Sequence, residues 1–330
     1  MATNSQFFSQ IQNLIDSVEE VRYHVIPLPN SLHKIGRSAE GFPKFFVVTS
    51  DHKMMQNLNA EILSVEYNML CNIVEGDKEI EEQIFSIITL RSESEQLQKM
   101  FVDVFMMMLD MLPPQPTNLM LASKIESLLS IFAKLRKKPV RKLQGLWAEM
   151  LLIEQSKSPQ VVARAWHSQP DSKYDFTMGA DKVEVKSTQS ESRIHNFALD
   201  QLNPSKNSRL LICSVIVRES AKAVGGLSVF DLYEKISKKV EDSETRMHIY
   251  DVMAETLGSD FYGAEKKYFD YIQASDSLAL YDSQDVPKID SSIIPEHVSN
   301  VKFASDLSHL IDVRGDDFDR AGSELFNSLY

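Results

Sequence analysis

The sequence predicts an α/β domain over residues 141–330, preceded by an α+β region over residues 1–140. Three observations carry this expectation. "RLLICSVIV" at 209–217 is an almost unbroken apolar run of β-branched character, the pattern of a central strand covered on both faces. Helical segments lie on either side of it, an almost wholly apolar one at 142–155 and an amphipathic one at 227–240. Before residue 92 the chain instead alternates short apolar runs with Gly, Asn, Pro and Asp, which reads as a small antiparallel sheet.

Taken in order, residues 1–20 read as a short helix with Phe7, Ile11, Leu14 and Ile15 on one side. Strands are expected at 23–28, 43–50, 61–74 and 82–90. A methionine-rich helix over 94–112 is stopped by Pro113 and Pro114, and its methionines are expected to be helix core. A second helix, about 117–137, ends near Pro139, where the domain boundary is expected at about residue 140. Beyond it come the helix "KLQGLWAEMLLIEQ" at 142–155, two short strands at 173–178 and 182–188, and the central strand. Helices at 227–240 and 244–257 follow. The tail holds strand candidates in "YFDYIQASDSLALYD" and "SNVKFASDL" and an acidic stretch, "DVRGDDFD".

The net charge of −12 argues against a general nucleic-acid coat, which needs a basic surface to displace counterions. Charge is uneven, however: "KLRKKPVRK" carries Lys134, Arg136, Lys137, Lys138, Arg141 and Lys142 without one acid. That run reads as a solvated helix end and linker, or as a phosphate contact just ahead of the motif region. Cys71 and Cys213 lie far apart in apolar surroundings without metal-ligand spacing, as buried thiols of a reducing compartment do. No apolar run is long enough to span a bilayer and the N-terminus does not read as a signal peptide, so a cytoplasmic protein is expected. A glycine-rich phosphate loop, an HExxH pair and a GxSxG elbow are all missing from the sequence.

One constellation stands out. In "KVEVKST", Val183 and Val185 face one way, so Glu184 and Lys186 share the other face of the strand. If 173–178 and 182–187 form a hairpin around Gly179 and Ala180, a two- or four-residue turn brings Asp175 opposite Glu184. A three-residue turn instead puts Phe176 there. Directly opposed carboxylates repel unless something positive sits between them, and a hard divalent cation such as Mg²⁺ suits that place. Lys186 would then orient a metal-bound water or stabilise charge on a phosphate; the bland alternative is a salt-bridge partner. Glu149 sits on an almost wholly apolar helix with Gly145 and Ile153 on its side, and the small Gly145 is expected to admit a close neighbour. A carboxylate buried in that way costs several kcal/mol unless paired, so Glu149 joins the candidate set.

A helix carrying Glu, then a strand with Asp, then a strand with Glu-x-Lys resembles the PD-(D/E)XK nuclease superfamily. "GLWAE" supplies Glu149, "KYDF" supplies Asp175, and "EVKST" supplies Glu184 and Lys186. The likeness extends to a bacterial group of PD-(D/E)XK motif proteins often encoded beside restriction and phage-defence genes. It is carried by Gly41 to Pro43, Trp166 and "ALDQL" at 198–202. The resemblance implies a restriction-endonuclease-like αβββαβ core and a Mg²⁺- or Mn²⁺-dependent DNA endonuclease. In it Asp175, Glu184 and the backbone carbonyl of Val185 hold the metal, Lys186 positions the attacking water, and Glu149 supports the metal site. The chain departs from the pattern in one place: Tyr174, not proline, precedes Asp175. DNA is the expected substrate, with a second copy or other defence-system proteins helping an acidic chain to hold it. The competing expectation is a non-catalytic DNA-binding or assembly subunit that keeps the fold. Around the motif, His195 reads as structural or phosphate-contacting, Gln201 as a helix residue able to reach the site, and Arg193, Lys206 and Arg209 as phosphate contacts or solvated side chains.

Overall fold

The computed structural model describes residues 4–14, 22–168, 172–315 and 318–330. It separates the chain into two units, Met1–Ala133 and Lys134–Tyr330.

The first unit runs α1 (Asn4–Gln12), β1 (Arg22–Pro27), β2 (Lys34–Arg37), β3 (Pro43–Val47), β4 (Leu58–Asn59), β5 (Leu63–Glu75), β6 (Lys78–Leu90), α2 (Glu95–Asp110) and α3 (Asn118–Lys134). Period-two alternation in β3 divides its side chains between two layers. Phe46 packs with Val25, Cys71, Ile73, Phe85 and Ile87 on one side. Phe45 meets Phe101 and Phe105 of α2 on the other, with ring centroids 5.4 and 4.6 Å apart. The four expected strands are present, joined by β2 and β4, whose four and two residues are too short to carry a readable alternation. The sheet is not purely antiparallel as expected. Its order is β1-β2-β3-β6-β5-β4, and β1 also pairs parallel with β5, from Arg22 opposite Asn72 to Val25 opposite Glu75. That pairing closes five strands into a ring, helped by bulges in the β5–β6 ladder at Glu66/Met69 and Cys71/Ile73, which bend the long strands. Of the expected N-terminal helix, Ile11 is buried and Leu14 follows the last turn, while Ile15 and the Phe7 side chain lie outside the described residues. Helix α2 begins at a Ser94 cap, whose Oγ accepts from Leu97 N at 3.3 Å, and ends before Pro113 as its sequence requires.

The second unit runs α4 (Leu143–Gln155), α5 (Pro159–Ala165), β7 (Phe176–Met178), β8 (Asp181–Thr188), β9 (Ile194–Ala198), β10 (Arg209–Ile216), β11 (Glu219–Ser220), β12 (Gly226–Leu227), α6 (Val229–Ser237), α7 (Ser243–Leu257), α8 (Phe261–Ala264), β13 (Tyr268–Asp270), α9 (Tyr271–Ser277), β14 (Ala279–Asp282), β15 (Lys302–Asp306) and α10 (Glu324–Leu329). This is a mixed α/β arrangement. Its main sheet has the order β14-β10-β8-β7. β10, the predicted central strand, is buried from Leu210 onward and lies parallel to β8 and antiparallel to β14. The third strand of the motif region, β9, pairs with β15 in a separate ribbon, and turns rather than a helix connect it to β10. The tail segment read as strand divides into β13, α9 and β14, because Asp270 caps a helix by accepting from Gln273 N at 3.0 Å. In the acidic stretch, Asp312 pairs with Arg314, while Asp316 and Asp317 lie outside the described residues.

Both cysteines are free and buried, and burial pushes the Cys71 thiol up to about 11. Among the described residues no helix is long and apolar enough to cross a membrane.

Candidate metal and catalytic site

The hairpin between β7 and β8 turns on two residues. Met178 pairs with Asp181, Thr177 with Lys182 and Phe176 with Val183. Gly179 takes φ +57° and Ala180 is not among the positive-φ residues, as a type II′ turn requires. Extending the register by one step sets Asp175 opposite Glu184, so the even-turn alternative is the one adopted. Asp175 itself lies just ahead of β7. Its Oδ2 accepts from Val185 N at 2.8 Å and its carbonyl accepts from His167 N at 2.8 Å.

Glu149 projects from α4 into the same region and is only 5% exposed. Trp166 Nε1 donates to its Oε2 at 2.8 Å, and His167 Nε2 lies 2.9 Å from the same oxygen. Gly145 does not explain this burial, contrary to expectation: a Cβ added there would meet nothing within 4 Å. Glu149 is enclosed because every residue from Leu146 to Glu154 is buried, with α5, α6, α7 and β8 all packed around α4.

Glu184 is held on one oxygen alone. Lys186 Nζ and Gln201 Nε2 both donate to its Oε1, each at 2.7 Å. Its Oε2 is buried with no hydrogen-bond partner. Gln201 stands in a turn after β9, not on the expected helix, and is fixed by Ala198 N donating to its Oε1 at 3.0 Å. Lys186 Nζ also lies 5.2 Å from the centre of the Phe197 ring.

Glu149, Asp175, Glu184 and Lys186 therefore come to one place, each buried or nearly so. The chain matches the family model described as "Putative PD-(D/E)XK family member (DUF4420)" over residues 12–308. It belongs to the PD-(D/E)XK family. No curated protein and no solved structure gave a match.

In this candidate site the carboxylates disturb one another. Burial drives the Asp175 carboxyl well above its ordinary range, and the charges of Glu149 and Glu184 add to this; the Val185 N–H and Arg141 oppose it. Burial also raises Glu184, against the opposing charge and hydrogen bond of Lys186 and with further help from Glu149. Ligand atoms of Glu149, His167 and Asp175 all lie within 4.8 Å of one another, a spacing that one cation can bridge.

Two residues of the cluster escaped the sequence reading. His167 is a lone histidine with no motif spacing, brought in by the Trp166–Phe176 bridge and a left-handed φ of +40°. Its only signal was its place beside Trp166. Arg141 was visible in the basic run but not as a site residue; its NH1 donates to Asp175 Oδ1 at 2.9 Å.

Three of the other polar candidates have internal partners instead. His195 is buried with Nε2 2.8 Å from Ser214 Oγ, and burial together with the Lys186 and Arg193 charges lowers it to about 4. Arg193 donates to the Ser214 carbonyl at 2.8 Å and to the Ser277 carbonyl. Arg209 forms a two-pronged pair with Asp181 at 2.8 and 3.1 Å. Lys206 is exposed.

Proposed function

We propose that the protein is a metal-dependent DNA endonuclease that hydrolyses phosphodiester bonds, working in a bacterial restriction or anti-phage defence system. The observation that carries this reading is Glu184. Its Oε2 is a buried acceptor without a partner, and the nearby Asp175 carboxyl is raised by burial and by the charges of Glu149 and Glu184. An orphaned buried acceptor costs about 1–3 kcal/mol, and a cation is the group that would recover it. The residues therefore fit a divalent ion. Asp175 and Glu184 would hold it, with Glu149 and His167 able to complete the set. Val185 presents its N–H to Asp175, and in an extended strand the carbonyl of the same residue opens to the same side, which suits it as a backbone ligand. A bound Mg²⁺ or Mn²⁺ would supply Lewis acidity and a more acidic water.

Lys186 is the positioning group for the attacking water. Its Nζ donates to Glu184 Oε1 and is held over Phe197, which limits its swing. Trp166 fixes the Glu149 carboxylate, and Gln201 fixes Glu184. The net charge of −12 leaves DNA affinity to a second copy or to other defence-system proteins. The buried thiols Cys71 and Cys213 suit a reducing cytoplasm.

A second reading has its own observation. Arg141 already neutralises Asp175, as it would in a non-catalytic DNA-binding or assembly subunit that retains the fold. Incubating wild type, Asp175→Ala and Lys186→Ala with plasmid and linear DNA in Mg²⁺ or Mn²⁺ separates the two. Cleavage lost in both variants supports the endonuclease. Equal cleavage by Asp175→Ala would overturn it, and DNA binding without cleavage by wild type would favour the second reading.

A further inference from the structure

Arg141 ends the short segment that leads from Pro139 into α4. The segment is fixed on α7 and the turn that follows it, where Val140 N donates to the Thr256 carbonyl at 3.1 Å and the Lys137 carbonyl accepts from Ser259 N at 2.8 Å. From that anchorage the guanidinium enters the carboxylate cluster. A single nitrogen, NH1, lies 2.9 Å from Asp175 Oδ1, 2.9 Å from His167 Nε2 and 3.5 Å from Glu149 Oε1. The same three residues offer ligand atoms that all lie within 4.8 Å of one another. A metal ion bound to them at about 2.0–2.2 Å would fill the space that NH1 holds.

The cluster is also not at rest with arginine in it. His167 Nε2 stands 2.9 Å from Arg141 NH1 and 2.9 Å from Glu149 Oε2. One ring nitrogen carries either a proton or a lone pair, so it cannot accept from the arginine and donate to the carboxylate together. A metal ion would take the lone pairs of both without that conflict. Independently, Glu184 Oε2 stays buried and without a partner while Arg141 is in place. The arginine thus satisfies Asp175 but leaves neighbouring groups unserved. Its side chain is 40% exposed, so a way out to solvent is open.

We propose that Arg141 is a built-in competitor of the metal ion: it occupies the position among Asp175, Glu149 and His167 that the ion takes, and metal binding requires the guanidinium to swing out. The inference rests on the metal-site reading above. It makes Arg141 a positioning residue that holds the acidic groups together in the metal-free protein. Once displaced, the guanidinium remains at the rim with its planar fork free, in a form suited to a phosphate of the DNA backbone. Metal entry and backbone binding would then favour each other.

The test is a calorimetric titration of the full chain with Mn²⁺ in the absence of DNA, for wild type, Arg141→Met and Arg141→Gln, together with melting curves in chelator. Both variants are expected to bind Mn²⁺ about tenfold more tightly, the gain if the arginine vacates the site in about one molecule in ten. Both are expected to melt below wild type without metal. Combining Asp175→Asn with Arg141→Met should abolish the gain. Affinity in the Arg141 variants equal to or weaker than wild type would overturn the proposal, and so would a gain that survives Asp175→Asn. Failure of the nuclease reading looks different: wild type would bind Mn²⁺ yet cleave no DNA, with the exchange intact.

Discussion

Gln201 donates from Nε2 to Glu184 Oε1 at 2.7 Å across seventeen residues of sequence, on the same oxygen that Lys186 uses. The amide is aimed by its own Oε1, which accepts from Ala198 N. Glu184 therefore keeps Oε1 tied down while Oε2 stays available. Gln201→Ala releases that restraint, and loss of such a supporting contact lowers metal affinity or activity about 10–100-fold. Stability should change by only about 1 kcal/mol, the net worth of one hydrogen bond. Mn²⁺ titration and cleavage rates check this, and unchanged values in both would remove Gln201 from the site.

Asp175 gives a prediction with a sign. Its folded carboxyl is raised well above the ordinary value of 3.8, first by burial and then by Glu149 and Glu184. Above that ordinary value the folded state holds more protons than the unfolded one, so stability in chelator falls as pH rises. The contribution is fully present below the unfolded pKa and is lost as pH passes the folded one. Asp175→Asn should flatten this decline and melt at or above wild type near neutral pH without metal. Wild type should gain about 2.7 kcal/mol at metal concentrations a hundredfold above Kd, and the variant should gain nothing. Metal affinity should increase with pH, since the ligands must shed their protons. A variant that still responds to Mn²⁺ would place the ion elsewhere.

His33 in the first unit acts in the opposite direction. It is buried with Nδ1 accepting from Val48 N at 3.1 Å, and burial lowers it to about 4. Protonation breaks that bond. Stability from this group is therefore complete above the unfolded value of about 6.5 and is lost as pH falls toward 4. His33→Asn should melt lower at pH 7.5 and lose less between pH 6.5 and 4 than wild type does. Parallel melting curves for the two proteins would count against it.

Gly258 controls the segment that delivers Arg141. It has φ +48°, and a Cβ there would lie 2.3 Å from the Lys137 carbonyl oxygen. Gly258→Ala meets both the strain and the backbone clash, so a loss of more than about 2 kcal/mol is expected. The Ser259–Lys137 hydrogen bond should go with it, seen as faster amide exchange at Ser259. A loss within about 0.5 kcal/mol would mean that the segment adapts at little cost.

Much of the site was legible because it is local. Alternation in "KVEVKST" put Glu184 and Lys186 on one face, and the Gly-Ala pair at 179–180 carries the turn that opposes Asp175 to Glu184. Glu149 stood out as a charge inside an apolar helix. The reason offered for its burial did not hold, since Gly145 borders open space and the neighbouring elements do the enclosing. Arg141 and His167 were illegible because contacts distant in sequence bring them in: an anchor on α7 for one, a bridge to Phe176 for the other. The path of β9 was hidden for a related reason. Its alternating burial suits an edge of the main sheet as well as the ribbon it forms with β15. Ring closure by β1 and β5 pairs strands about fifty residues apart, and no periodicity within either strand encodes its partner.

That ring has a practical corollary for anyone shortening the protein. Each of its five strands has a neighbour on both sides, so the unit offers little bare backbone for a passing chain to zip onto. Removing the first thirty residues deletes β1 and uncovers two edges at once, along Lys34–Arg37 and along the Asn72–Glu75 end of β5. Exposed edges of that kind recruit one another, and a trimmed protein would be expected to form soluble clumps or inclusion bodies even with every core residue intact.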